Sequence, residues 1–72
     1  MIRTPVVSSH ITSIGHDPAT STLEVEFTNG TVYQYQDVPA ALHRQLLAAR
    51  SPGQAFHRLI RGGGFAFEQV FE

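Results

Sequence analysis

Residues 22–27, TLEVEF, alternate Leu23, Val25 and Phe27 with Glu24 and Glu26, the period-two pattern of a strand with one buried and one wet face. Asn29-Gly30 follows and then TVYQYQ, so two strand-like runs flank a hairpin signal. A two-residue Asn29-Gly30 turn would pair Glu26 with Tyr33 and Glu24 with Tyr35, leaving both rings on the wet face. A three-residue turn, with Thr28 and Asn29 right-handed and Gly30 left-handed, would pair Val25 with Tyr33 and Leu23 with Tyr35. The second register sends Gln34 and Gln36 outward beside Glu24 and Glu26, whereas the first would bury glutamines. Polar segregation therefore favours the bulged turn, with Tyr33 and Tyr35 packed as core and their hydroxyls at the rim.

Upstream, SSHITSIGHDP reads as a further strand ended by Asp17-Pro18. Ile11 and Ile14 lie three apart there, which implies a bulge or a late strand start. From Pro39 the period changes: Leu42, Leu46 and Ala49 fall on one stripe of a helix that should end near Arg50. Ser51-Pro52-Gly53-Gln54 has the form of a capping box opening a second helix, whose apolar stripe is Ala55, Phe56, Leu59 and Ile60. Gly62 stands where a left-handed terminal residue is wanted, and Phe65, Phe67 and Val70 add a short closing strand. The expected fold is α+β: a small antiparallel sheet of three or four strands with two helices packed on one face, in the order β-β-β-α-α-(β).

Seventy-two residues allow a single domain with one core, burying only about 60% of the surface of the unfolded chain. Hydrophobic residues make up 42% of the sequence, with five Phe and two Tyr, so most large apolar side chains are committed to folding. Five cationic residues, all arginine, stand against six carboxylates and give a net charge of -1. That balance argues against strong nonspecific nucleic-acid binding. The absence of cysteine removes disulfides, thiol nucleophiles and thiolate zinc sites. MIRTPVVSSH falls short of a signal-peptide core, and no stretch approaches the ~18 apolar residues of a membrane span. A cytoplasmic location without membrane association is expected.

Candidate chemistry is sparse. Gly62-Gly63-Gly64 follows a helix rather than preceding one, so it lies at the negative end of the dipole and reads as a helix stop, not a phosphate loop. His10 and His16 are about 20 Å apart along a strand, too far to share an ion. His43 and His57, on different helices, could approach one another but lack a third ligand. Neither the serines nor the acids, His16-Asp17 included, have the spacing of a nucleophile with an oriented base. No catalytic residue, metal or cofactor is expected, and a non-catalytic binding module is the better reading. Positive charge gathers most on the polar stripe Gln54, His57, Arg58 and Arg61 of the second helix, which Arg44 and Arg50 could extend. Those five residues, Arg44, Arg50, His57, Arg58 and Arg61, are the candidate RNA contacts. The competing structural role is to solvate the helix and complement its negative end.

SSHITSIGHDP, LEVEFTNGTVYQY, SPGQAFHRLIR and the closing aromatic run together resemble the KTSC domain family, from about Ser8 to Val70. That family is named for its occurrence at the C-terminus of some lysyl-tRNA synthetases, also exists as free-standing small bacterial proteins, and is marked by a central Tyr-x-Tyr motif, here Tyr33-Gln34-Tyr35. His16 stands where relatives often carry an aromatic, His57 where asparagine is common, and phenylalanines replace tyrosine in the last segment. The resemblance implies binding of RNA, tRNA among the candidates, and contacts through the few arginines would make that binding weak and salt-sensitive. The other expectation is a protein-interaction domain using the aromatic C-terminal segment or a sheet edge.

Overall fold

The three-residue turn is the one that forms. In the structure, a computed structural model that describes residues 1–71, the Phe27 amide donates to the Thr31 carbonyl (2.8 Å) and the Gly30 amide to the Phe27 carbonyl (2.9 Å). Gly30 takes a φ of 89°, the left-handed step such a turn requires. Leu23 consequently pairs with Tyr35 and Val25 with Tyr33, while Glu24 faces Gln34 on the opposite side of the sheet. Glu72 lies outside the described residues.

The hairpin strands, β3 (Thr22–Phe27) and β4 (Val32–Tyr35), form the centre of a five-stranded antiparallel sheet ordered β1-β2-β3-β4-β5. β2 (Ile11–Asp17) pairs with β3, and the register shifts between Ile11 and Ser13. That bulge absorbs one residue, so Ile11 and Ile14 both reach the buried face despite their spacing of three. The expectation of a bulge is met, but the strand count rises from three or four to five. The closing run forms β5 (Phe67–Val70) against β4, and Arg3–Pro5 forms an outer strand, β1, against β2. RTP is too short to show alternation and contains a proline, which an edge strand tolerates.

Two helices cover one face of this sheet. α1 (Ala40–Ala48) begins after Pro39, which caps it in extended conformation, and ends two residues before Arg50, with Ala49 extended. In α2 (Pro52–Leu59) the Ser51 hydroxyl accepts from the Gln54 amide at 3.4 Å, the cap that the motif specified. The expected left-handed stop at Gly62 moves to Gly64, whose φ is 75°. The chain tightens into a 3-10 turn over Arg61–Gly63 first, with the Gly63 amide bonded to the Ile60 carbonyl, so the reversal is deferred. Leu46 from α1, Ala55 and Phe56 from α2, and Ile60 close over Ile14, Leu23, Val25 and Tyr35, with Val38 sealing the entry to α1.

Tyr35 is 6% exposed and belongs to this core, whereas Tyr33 is half-buried at its border. Replacing Tyr35 with alanine should cost about 3 kcal/mol and lower the melting temperature by more than about 10 °C. Tyr35→Phe should retain most of that stability, and a Tyr35→Ala protein melting with the native chain would place the ring outside the core. None of the described residues stands within 4 Å of a Cβ added at Gly30, so Gly30→Ala should lose about 1 kcal/mol through backbone conformation alone.

Candidate nucleic-acid interface

The two faces of the sheet differ in chemistry. On the face away from the helices, Arg3, Gly15, Glu24, Gln34 and Glu68 form one row across all five strands. The Arg3 guanidinium crosses β2 to reach the Glu24 carboxylate at 3.4 Å, and it crosses directly over Gly15. A Cβ at position 15 would stand 2.6 Å from the Ile2 carbonyl and 3.1 Å from Arg3 Cγ, so the bridge depends on the missing side chain. Gln34 Nε2 donates to Glu24 Oε1 at 2.8 Å, and the Ser13 hydroxyl donates to Glu26 Oε1 at 2.9 Å. This face carries Glu24, Glu26 and Glu68, and it repels a phosphate backbone.

The helix-bearing face is aromatic. Phe56 meets Phe27 and Tyr35 edge-on at centroid distances of 5.5 and 5.4 Å. Tyr33 meets Phe27 at 5.8 Å and Phe67 at 5.9 Å, and Phe67 closes the circuit on Tyr35 at 5.3 Å. The five rings make a closed cycle at distances typical of favourable aromatic pairs. The cycle is buried at Phe56 and open at Phe67, which is 60% exposed. Its open side lines a groove of about 540 Å³ together with Phe65 and Arg61. A second groove, of about 960 Å³, has His10, Arg50, Ser51, His57 and Arg61 on its walls and shares both Phe27 and Arg61 with the first. Arg61 therefore stands where an aromatic trough meets a basic one. Burial raises the Tyr35 hydroxyl pKa, and the charge of Arg61 partly opposes that rise.

Residues 7–65 match the KTSC domain. The chain belongs to the KTSC domain family. The crystal structure of a KTSC domain protein from Yersinia pestis superimposes with a TM-score of 0.89 at 39% identity, covering 97% of each chain. An uncharacterised protein of Stutzerimonas stutzeri is 39% identical over 70 residues, 97% of this chain and 99% of that protein. The lysine–tRNA ligase of a Nostoc species is 40% identical over 62 residues, 86% of this chain but 11% of the ligase. This KTSC domain thus spans about a tenth of the ligase and nearly the whole of the small relative.

The arginine stripe read from the sequence divides in three dimensions. Arg50, His57 and Arg61 line the basic groove, but Arg44 and Arg58 line neither groove. Gln54, His57, Arg58 and Arg61 are all exposed as helical spacing required. The groove, however, forms only where α2 faces the segment before β2, and Arg58 turns away from that side. His10 joins the site, which its sequence position did not indicate, because the loop before β2 lies beside the first turn of α2. Phe27 and Tyr33 were legible as core positions. Only the open end of the sheet makes them groove walls as well.

The histidines pair differently from either combination considered above. His16 and His43 stack with ring centroids 5.4 Å apart and planes 18° from parallel. The His16 Nε2–H donates to the Val38 carbonyl at 2.7 Å, while His43 Nε2 is buried with no hydrogen-bond partner among the described residues. His10 and His57 instead share the basic groove. Among the described residues no group of three or more His, Asp or Glu is placed to hold a metal ion, and no helix is long and apolar enough to cross a membrane.

Burial lowers the pKa of His43 from its ordinary 6.5, helped by the neighbouring charges of His16 and then Arg44. Below 6.5 the unfolded chain takes up this proton more readily than the native one, so stability falls as pH drops through that value toward the lower native pKa. Thermal melts from about pH 7 to about pH 5 should show this loss. His43→Phe, which retains a ring against His16, should flatten it, and a variant with an unchanged pH profile would assign the sensitivity to another group.

Proposed function

We propose that this KTSC domain is a small binding module for single-stranded or looped RNA, with the loops of tRNA as natural candidates. The observation that carries the reading is the joining of an aromatic groove to a basic one at Arg61 and Phe27. Unpaired bases stack on aromatic rings and guanidinium planes, while the backbone needs cations a few ångströms away. Phe67 and Tyr33 offer ring faces at the open end, Arg50 and Arg61 offer the charge, and His10 and His57 line the same groove. The occurrence of a related segment within a lysine–tRNA ligase agrees in direction with this partner. Two arginines and a net charge of -1 make the binding weak.

A titration of the full chain with tRNA and with a short unstructured RNA, followed by amide shifts, tests the assignment. Shifts should concentrate at Phe27, Tyr33, Arg61 and Phe67. Two phosphate contacts should give a slope of log affinity against log salt of about -1.4. Arg50→Gln with Arg61→Gln should abolish most of that dependence, while Arg44→Gln with Arg58→Gln should leave it in place. Phe67→Ala should weaken binding about tenfold at every salt concentration, since stacking is worth about 1–3 kcal/mol per base. Equal losses from both arginine pairs would spread the contact over the helices and sink the cleft.

A further inference from the structure

The two edges of the sheet are finished differently. β1 is three residues long and carries Arg3 and Pro5, the short, charged and proline-bearing edge that natural sheets use to prevent further pairing. β5 is less protected: at four residues it is also short, but it has no proline, and its one charge, Glu68, stands on the face away from the helices. It reads FEQV, among the described residues pairs only with β4, and is flanked by Phe71. Phe67 is 60% exposed and Phe71 84%. The Gln36 amide donates to the Ala66 carbonyl at 2.8 Å, so residue 66 directs its backbone toward β4. By antiparallel alternation, Glu68 and Val70 do the same. The amides and carbonyls of Phe67 and Gln69, and of Phe71 by continuation, then point outward along the free edge.

The geometry points to this edge as the pairing site for a second copy of the chain, joined antiparallel through β5 about a twofold axis normal to the sheet. Such an axis keeps each residue on its own face, which leaves few registers. Centring on Glu68 would set two like charges directly opposite each other. Centring on Gln69 sets Glu68 against Val70, and Phe67 against Phe71 of the partner copy. The two exposed phenylalanines then meet on the aromatic face, so this contact and the stacking of a base on Phe67 compete for the same ring. The outward backbone groups of Phe67, Gln69 and Phe71 meet the same groups of the partner, as an isologous contact requires. Because the axis is normal to the sheet, the two grooved faces lie side by side in a continuous ten-stranded sheet.

The position of Gln69 on the axis supplies the test, run on the full chain without nucleic acid. Sedimentation velocity over a concentration series should show the mass rising from 7.9 kDa toward twice that value. Gln69→Lys and Gln69→Glu each place like charges across the axis and should weaken dimerisation at least tenfold. Mixing the two variants should restore it, as a heterodimer that brings lysine opposite glutamate. Phe71→Ser, a change at an exposed position, should also weaken the dimer, while melting curves confirm that all three variants fold. A native chain that stays monomeric throughout the series would overturn the proposal. So would a dimer indifferent to these substitutions, or a mixture of charge variants that fails to associate.

Discussion

A left-handed glycine at position 30 decides which side of the sheet every residue of the second half faces. The turn it permits contains three residues rather than two, and the odd count places Tyr33 and Tyr35 beside Val25 and Leu23 instead of beside glutamates. A slip of one residue would reverse the assignment along all of β4. Because β5 takes its register from β4, Phe67 and Glu68 would exchange faces as well. The aromatic cycle, the closure of Phe56 over the sheet, and the segregation of carboxylates on the far side all follow from this turn.

That segregation has an electrostatic result. Glu24 is 8% exposed and is held by Arg3 and Gln34, and Glu26 accepts from Ser13. Two of the carboxylates on the acidic face, Glu24 and Glu26, are thus held by neighbours inside the sheet, and Gly15 allows the Arg3 guanidinium to lie across β2. The remaining arginines, Arg44, Arg50, Arg58 and Arg61, belong to the helical layer or the segments around it. A chain with a net charge of -1 thus presents positive charge on the side where its aromatic rings are open, which a whole-chain sum conceals.

The histidines show the same dependence on packing. Adjacent position in a strand or helix says little about which rings meet when elements cross, and His16 and His43, 27 residues apart in number, form the stacked pair. Their contact requires α1 to lie over the end of β2. The hydrogen bond from His16 to the Val38 carbonyl fixes that approach at the point where the chain leaves the sheet for the helix. It also orients the ring against which His43 is desolvated.

Much of this architecture is contained in local patterns. TLEVEF shows its strand through alternation, Asn29-Gly30 shows its turn, Ser51-Pro52-Gly53-Gln54 shows its cap, and the spacing of Ile11 and Ile14 shows a bulge, because each depends on backbone geometry a few residues long. The bulged register was also reachable, since only that turn avoids burying glutamines. β1 escaped notice because three residues containing a proline carry no period, and its pairing partner lies ten residues downstream. The stop at Gly64 rather than Gly62 depended on how the last turn of α2 tightens over the sheet. Above all, the grooves exist only between elements: Arg50, His57 and Arg61 share a groove with His10 and Phe27 because α2 lies beside the segment before β2 and against Phe27 at the end of β3, while Arg58, one position from His57, is not on its wall. The sequence alone determined which residues are apolar, where the chain turns and how the helices are capped, whereas the tertiary structure decided which charges and rings share a surface, because that requires elements distant in the chain to be brought within a few ångströms.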